Sequence, residues 1–229
     1  MAAEVYGQMK KILLKLSLWI AGLIVIIVIL NTGVSTKQGV NYKVHTLRMP
    51  LYLKILDFFG RHYNYKLIVE RITGDSSGEK DKVLKIFEWT HKNIRKTPEG
   101  YPVIDDHVWN IIVRGYGEDD QSSDVFTTLC NYAGLDAFLS WIDTKSHDYY
   151  IVLSFVRING ALRVFDPYNG VYFKNNKGKL ADIEEIGKGN WLIEKINTSN
   201  SHDVEYANYF KNLTLIKDSR FKRQASNLL

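Results

Sequence analysis

The stretch GYGEDDQSSDVFTTLCNYAGLDAF, residues 115–138, decides the fold of this chain. Its second half predicts a single helix, because apolar residues recur at the spacing that gathers them on one helical face. These residues are Val125, Phe126, Leu129, Cys130 and Ala133. Gly134 predicts the helix end, since the residue after a helix often adopts the left-handed conformation that glycine takes without penalty. The carboxylates at 118–120 fall in the predicted first turn, where the helix dipole favours negative charge.

This stretch resembles the central helix of the transglutaminase-like superfamily, which is related to papain-type cysteine proteases. The residues that carry the resemblance are Gly117, Asp120, Gln121, Val125, Phe126, Leu129, Gly134 and Ala137. A second motif, VFDPYNG at 164–170, extends the resemblance over residues 78–175. The resemblance implies an α+β fold, transglutaminase-like or papain-like, with a central helix packed on a small antiparallel sheet. In that family a catalytic cysteine opens the helix, and here Asp119 occupies its position.

Composition limits the function classes that need to be considered. The chain has 229 residues, 45% of them hydrophobic, so it can form one domain plus an accessory segment. Its net charge of +5 comes from basic and acidic residues mixed along the chain, which favours a solvated surface and no nucleic-acid partner. A single cysteine cannot form an intramolecular disulfide or a cysteine-based zinc site. We expect no cofactor.

An apolar segment near the N-terminus predicts a single transmembrane helix. Residues 12–30 are nearly all apolar, with Lys15 the only charge, and the next charge is Lys37. Such a run is long enough to cross a bilayer, and no cleavage site of the signal-peptide kind follows it. Basic residues flank this run on both sides, but those before it are closer to its end than those after it, which favours an N-terminus inside and a soluble domain outside the cell membrane. They are Lys10, Lys11 and Lys15 before, and Lys37, Lys43 and Arg48 after.

The whole chain divides by composition into four predicted segments. Residues 1–36 form a leader and the transmembrane helix, and residues 37–77 form a polar tether and a membrane-proximal helical segment. Residues 78–200 form the transglutaminase-like domain, and residues 201–229 form a C-terminal tail. Within the second segment, a short amphipathic helix at 51–59 is expected to pack on the domain rather than on the membrane surface.

Local signals place the other elements. Ser76 and Glu79 have the spacing of a capping box before a helix. Asn159-Gly160 is a strong signal for a two-residue hairpin turn. The predicted elements are a helix over 78–96, strands over 137–141, 149–157, 161–165 and 171–173, a short helix at 183–186, and a strand or helix at 191–196.

The resemblance implies a site made of the residue that opens the helix, a histidine and an acid. Asp166 matches the acid, and His147 is the candidate base. The predicted hairpin register places Asp166 opposite Leu153, so a histidine beside it should lie near Ile151. His147 lies four residues earlier, about 13 Å along an extended strand.

Asp119 cannot supply the chemistry of the missing thiol. A carboxylate at a helix N-terminus is expected to be a stable anion with a lowered pKa, and its anhydride with an acyl group would be labile. Cys130 lies about 16 Å further along the helix, on its apolar face, where a thiol is inert. Ser122 and Ser123 are interpreted as polar residues of the first turn rather than as nucleophiles.

Two metal-site alternatives accompany this interpretation. Asp119, His147 and Asp166 could together bind Mn²⁺, Fe²⁺ or Zn²⁺, but a salt-bridged remnant of a catalytic site is favoured. The run DDH at 105–107 could also bind a metal, but loop polar groups and a helix cap are favoured there. The sequence therefore predicts no metal site.

The leading hypothesis is a non-catalytic module, a pseudoenzyme that binds or scaffolds an unknown protein or polysaccharide partner at the cell envelope. Similar membrane-tethered domains are associated with surface polysaccharide assembly, and this link is an analogy. The alternative is an active hydrolase or amide-transferase that uses Asp119, His147 and Asp166, with His107 as a further candidate. A third hypothesis is a structural membrane protein whose domain only positions partners.

Overall fold

A computed structural model describes residues 2–40, 43–101, 107–143, 150–196, 204–211 and 213. The chain divides into two compact units. The first comprises Met1–Gln38 and His45–His62, and the second comprises Gly39–Val44 and Tyr63–Leu229. The domain boundaries inferred from composition remain a prediction.

The first unit contains the apolar helix and a β-hairpin. Helix α1 spans Ala2–Leu30, strands β1 (Gly33–Val40) and β2 (Lys43–Pro50) form a two-stranded sheet, and helix α2 begins at Leu51. Within α1, Val5–Leu30 is long and apolar enough to cross a membrane, and none of its most apolar stretch is buried. The hairpin lies where a polar tether was predicted. Its strands alternate β-branched residues with polar ones, and this period-two pattern favours a strand.

Helix α2 spans Leu51–Thr73 and is much longer than the predicted helix at 51–59. Its buried residues are Tyr65, Val69 and Thr73, all beyond residue 59. Tyr65 and Val69 belong to the main hydrophobic core of the second unit, and this burial explains why the helix continues past Gly60. The residues at 51–59 that were expected to pack on the domain contribute no buried side chain.

The second unit is a mixed helix and sheet domain, as the α+β prediction requires. Its elements after α2 are α3 (Glu79–Asn93), β3 (Arg95–Lys96), α4 (Val108–Arg114), β4 (Tyr116–Gly117), α5 (Asp119–Tyr132), β5 (Ala137–Asp143), β6 (Tyr150–Ile158), β7 (Ala161–Asp166), β8 (Val171–Lys174), α6 (Ile183–Gly187), β9 (Leu192–Lys195) and α7 (Tyr206–Phe210). Strands β5 to β9 form one antiparallel sheet in sequence order. Strands β3 and β4 pair in parallel as a separate ladder.

The predicted central helix and hairpin are both confirmed. Helix α5 begins at Asp119, and Gly134 just after its end has a φ of +81°. Between β6 and β7, Asn159 and Gly160 have φ values of 50° and 81°, as expected for a two-residue turn in the left-handed region. The register runs from Ile158↔Ala161 to Ser154↔Phe165, as the hairpin signal predicted.

The predicted capping box before α3 is wrong. Gly78 occupies the position before the helix, and no side-chain capping bond forms there. Instead, the Ser77 backbone N–H donates to Asp81 Oδ2 at 3.1 Å, so the loop uses a carboxylate from inside the helix. The helix also ends at Asn93 rather than at residue 96, because Arg95 and Lys96 enter β3.

Two hydrophobic clusters form the core of the second unit. In the first, Phe87, Phe126 and Phe165 meet with ring centroids 5.4–5.7 Å apart and join α3 and α5 to the sheet. The second core cluster includes Phe155, Phe173, Tyr206, Phe210 and Leu213. The last three residues lie in the segment predicted as a tail, and their burial makes part of that segment integral to the fold.

Candidate functional site

The start of α5 is built by close packing and a side-chain cap. Gln121 Oε1 accepts from the Glu118 backbone N–H at 3.2 Å and from Arg114 Nη2 at 2.9 Å. A Cβ on Gly117 would lie only 2.9 Å from Gln121 Oε1, so the absence of a side chain there allows the cap. Asp119 therefore occupies the first helical position in a fixed turn, with its side chain half-buried.

Asp166 ends β7 and is almost fully buried, with 3% of its surface exposed. Its Oδ2 accepts from Tyr206 Oη at 2.7 Å and from Asn169 Nδ2 at 2.9 Å. Its Oδ1 accepts from the Asn169 backbone N–H at 3.0 Å. Three donors from two residues thus satisfy this buried carboxylate, as a buried polar group requires.

Tyr168, in the turn after β7, connects these two positions. Its hydroxyl donates to Glu118 Oε2 at 3.4 Å, at the start of α5. Lys96 Nζ lies 4.5 Å from the centre of the Tyr168 ring and donates to Asn169 Oδ1 at 3.2 Å. The pairing of β3 with β4 places Lys96 beside Gly117 and so brings this cation to the site. We call Glu118, Asp119, Asp166 and Tyr168 the carboxylate site.

Burial controls the electrostatics of this site. The pKa of Asp119 is raised above its ordinary value of 3.8, chiefly by burial and also by the charges of Asp120, Asp166 and Glu118. The expected lowering of this pKa by the helix N-terminus is therefore wrong, because desolvation disfavours the charged form more strongly. Burial also raises the pKa of Asp166, while its bonds from Asn169 and Tyr206 act in the opposite direction.

The phenol of Tyr168 responds to the same charges. Burial and the carboxylates of Glu118 and Asp119 raise its pKa to about 12. Burial and the charge of Asp166 also raise the pKa of Tyr206. Both phenols are therefore neutral donors at physiological pH, and they face carboxylates.

Comparison with protein families identifies the domain. Residues 66–157 match the core of the transglutaminase-like superfamily. The chain carries a transglutaminase-like domain. This match includes α5 and most of β6, the elements on which the sequence resemblance rests.

Three crystal structures resemble this chain at low identity. One is a candidate protease from Parabacteroides distasonis ATCC 8503, with 14% identity, a TM-score of 0.38, and coverage of 58% of this chain and 35% of that chain. A candidate cysteine protease from Cytophaga hutchinsonii has 16% identity, a TM-score of 0.42, and coverage of 62% of this chain and 50% of that chain. A TGase has 11% identity, a TM-score of 0.37, and coverage of 58% of this chain and 43% of that chain. The chain thus spans half or less of the length of each. No curated protein matches the sequence.

The transglutaminase-like domain has no histidine on the strand beside Asp166. One step beyond the pair Ser154↔Phe165, the register of β6 and β7 brings Asp166 opposite Leu153, with Ile151 next on the same face. Strand β6 begins at Tyr150 and contains no histidine. His147 lies outside the described residues, so its place in the site remains a prediction.

The other candidate nucleophiles lie in the core. Cys130 is fully buried, which confirms its predicted place in the core, and burial raises the pKa of its thiol well above the ordinary value. Ser122 and Ser123 are also buried, although they were predicted as polar residues of the first turn. They are the fourth and fifth residues of α5, where its first turn ends, on the side that packs against the rest of the domain.

The DDH run is described only at its histidine. His107 Nδ1 accepts from the Trp109 backbone N–H at 3.4 Å and lies 3.4 Å from Tyr65 Oη, so His107 caps α4. Asp105 and Asp106 lie outside the described residues. Among the residues that the structure does describe, no group of three or more His, Cys, Asp or Glu side chains is arranged to hold a metal ion.

Sequence reasoning missed four residues at the site: Asn169 and Tyr206, which donate to Asp166, and Tyr168 and Lys96 beside them. Asn169 and Tyr168 lie in the VFDPYNG motif and could have been assigned from it, because a turn residue three positions after an aspartate often donates back to it. Tyr206 lies 40 residues beyond Asp166 in a segment without a motif. Lys96 reaches the site only through the β3–β4 pairing.

Proposed function

We propose that this chain is a membrane-anchored transglutaminase-like protein without acyl-transfer chemistry, whose carboxylate site binds or scaffolds a partner at the cell envelope. The observation that carries the proposal is the bonding of Asp166. Its oxygens are held by Tyr206 and Asn169, two neutral donors, and a carboxylate rather than a thiol begins α5.

Covalent acyl transfer needs a nucleophile that survives as an ester-like intermediate. In a cysteine site the thiolate is stabilised by the helix N-terminus and by a neighbouring imidazolium. Asp119 could form only a mixed anhydride, which water destroys quickly. Cys130 is remote from this end of α5 and buried, so it does not replace the missing thiol.

The acid of a catalytic triad has a different environment from that of Asp166. Such an acid accepts from the imidazole Nδ1–H and so selects the tautomer that can take a proton. Asp166 instead accepts from Tyr206 of α7 and from Asn169 of the turn after β7, and these bonds hold both elements against the end of β7. This bonding supports a structural role for Asp166.

Helix α1 supports anchorage in a membrane. Val5–Leu30 has 26 residues, about 39 Å of helix at 1.5 Å per residue, which exceeds the hydrocarbon thickness of about 30 Å. Lys10, Lys11 and Lys15 favour an N-terminus inside, with the domain outside the cell membrane. The link to surface polysaccharide assembly rests on analogy with other membrane-tethered domains of this kind.

One observation favours the rival proposal of a working hydrolase or amide-transferase. Raised pKa values cluster at functional sites, and here the pKa of Asp119, Asp166 and Tyr168 is raised in every case. In that rival, Asp119 and Asp166 act with His147 on an acyl substrate. A ligand-binding site that keeps charge in a half-buried position accounts for the same pKa shifts.

Covalent probes separate the two proposals. The full chain in detergent micelles is treated with a thiol-directed probe and, separately, with an activated acyl donor in the presence of hydroxylamine, which converts a short-lived anhydride into a stable hydroxamate. Protein adducts and hydroxamates are identified by mass spectrometry. We expect no adduct at residues 117–123 in the wild type. Asp119→Cys is the matched control, because it places a thiol at the first helical position, where the thiol-directed probe should label it.

Hydroxamate that forms with the wild type above the level found with Asp119→Asn would establish the hydrolase instead. Failure of the probe to label Asp119→Cys would show that the start of α5 is inaccessible. The proposed function predicts a third result, in which the wild type carries no adduct and Asp119→Cys is labelled.

A further inference from the structure

Helix α2 carries an apolar stripe that faces solvent. Tyr52, Leu56 and Phe59 are 39%, 60% and 50% exposed. Their spacing of four and then three residues places them on one side of the helix, within an arc of about 60° at 100° per residue. Three large exposed side chains in a row on one face indicate a surface that contacts something apolar. We call these residues the α2 stripe.

The opposite side of the same turns is charged. Lys54, Asp57 and Arg61 project there, and Asp57 forms an ion pair with Arg61 one turn later. The first half of α2 is therefore amphipathic, with its apolar side exposed and its charged side turned away from it. The buried residues of α2 lie further along, at Tyr65 and Val69, on a different side from the stripe.

The helix begins where the apolar helix α1 ends. The Leu51 backbone N–H donates to the Thr32 carbonyl at 2.9 Å, and α1 ends at Leu30. The hairpin β1–β2 lies between the two helices in sequence and brings the chain back to Thr32, next to the end of α1. At its base a Cβ on Gly33 would lie 2.7 Å from Arg48 Nε, so the Arg48 side chain lies directly against Gly33.

The surface beside the end of a membrane-crossing helix is the lipid headgroup region. Each headgroup layer is about 5–8 Å thick outside the hydrocarbon. Phe59 lies eight residues after Leu51, about 12 Å along the helix axis. A helix leaving along the membrane normal would carry Phe59 out of this layer, whereas a helix lying in the plane keeps the whole stripe within it.

We propose that the first half of α2 lies in the membrane interface, with the α2 stripe inserted among the lipids at the boundary between headgroups and acyl chains. Tyrosine is enriched at this depth, and an amphipathic helix binds there through its apolar face. Segment 48–62 has three basic residues, Arg48, Lys54 and Arg61, against one acidic residue, Asp57, and this net positive charge suits contact with the phosphates of lipid headgroups. The inference rests on the membrane anchorage in the proposed function.

Single-cysteine labelling of the full chain tests the proposal. The native Cys130 is fully buried, so an introduced cysteine is the reactive one. Tyr52→Cys, Leu56→Cys and Phe59→Cys carry an environment-sensitive fluorophore, and Asp57→Cys is the matched control on the charged side. The proteins are reconstituted into vesicles of phosphatidylcholine with 30% phosphatidylglycerol. Quenching is measured with aqueous iodide and with lipids brominated near the headgroup.

We expect the three stripe labels to be quenched equally by brominated lipid and several-fold less by iodide than the Asp57→Cys label. Lipid quenching that declines from Tyr52→Cys to Phe59→Cys would overturn the proposal, since the helix would then leave the membrane along the normal. Shielding from iodide without lipid quenching, together with disulfide-linked Leu56→Cys dimers, would overturn it in favour of a second copy of the chain.

Extraction with alkaline carbonate reports on α1 separately. A chain that resists extraction but has iodide-accessible stripe labels keeps its anchor and refutes the interfacial helix. A chain that carbonate removes, but whose stripe labels are quenched by lipid, refutes the anchor in the proposed function and supports the lipid contact of α2.

Discussion

Replacing Tyr206 with phenylalanine tests the role assigned to Asp166. The change removes one hydroxyl from a residue that is 2% exposed and leaves its ring packing on Phe173 and Phe210 intact. The lost bond is 2.7 Å long and ends on a buried carboxylate. Hydrogen bonds to charged groups contribute about 1.5–3 kcal/mol to the free energy of unfolding. At roughly 2–4 °C per kcal/mol for a domain of this size, Tm should fall by about 3–12 °C.

The pH dependence of this loss identifies the carboxylate as the acceptor. The bond from Tyr206 lowers the pKa of Asp166, so removing it raises that pKa further and costs most where Asp166 is ionised. The loss in Tm should therefore be largest at neutral pH. It should shrink as pH falls through the raised pKa of Asp166, where a neutral bond contributes only about 0.5–1.5 kcal/mol.

Thermal unfolding of the full chain in detergent, followed by near-ultraviolet circular dichroism, measures the effect. The aromatic signal includes Trp191, which packs against Phe173 and Phe210. Tyr209→Phe is the control, because Tyr209 is a partly buried tyrosine of the same helix that packs on the second core cluster. An unchanged Tm for Tyr206→Phe, or a loss that is the same at acid and neutral pH, would refute a structural Asp166.

Three other changes test the site and the fold. Asp119→Asn should raise Tm at neutral pH, because the raised pKa of Asp119 makes the stability of the wild type fall as pH rises above 3.8. The gain in Tm should vanish below that pH, and a lower Tm for the variant at neutral pH would contradict the prediction. Phe165→Ala should lower the free energy of unfolding by about 3–5 kcal/mol in urea titrations, because it opens a cavity beside Phe87 and Phe126; a loss below about 1 kcal/mol would contradict this packing. Gly134→Ala should lower the free energy of unfolding by about 1–2 kcal/mol, because Gly134 has a φ of +81° and no atom lies within 4 Å of an added Cβ to cause a clash. An unchanged free energy of unfolding would contradict that backbone conformation.

The parts of the fold that follow local rules could be predicted from the sequence. The apolar period of α5 and the left-handed Gly134 fixed the central helix, and Asn159-Gly160 fixed the β6–β7 register. These signals act between residues close in sequence, so a single sequence contains them. The hairpin β1–β2 was missed because its polar residues suggested a tether, although its alternating β-branched residues also favour strands.

The candidate site was predictable only in part. The positions of Asp119 and Asp166 followed from motifs, but the pKa of Asp119 did not, because burial depends on tertiary packing that the helix-dipole argument leaves out. Tyr206 satisfies Asp166 from 40 residues away, and Lys96 arrives through a parallel strand pair. Contacts of such long sequence separation carry no local signal.

Steady-state turnover tests the absence of acyl-transfer chemistry most directly. The full chain, its Asp119→Asn variant and a blank would be assayed with peptide, ester and glutamine-containing acyl donors, with water and a labelled primary amine as acceptors. We expect the wild type and Asp119→Asn to give the same rate as the blank with every donor. Turnover by the wild type that disappears in Asp119→Asn would contradict the proposed function and establish an enzyme built on the carboxylate at position 119.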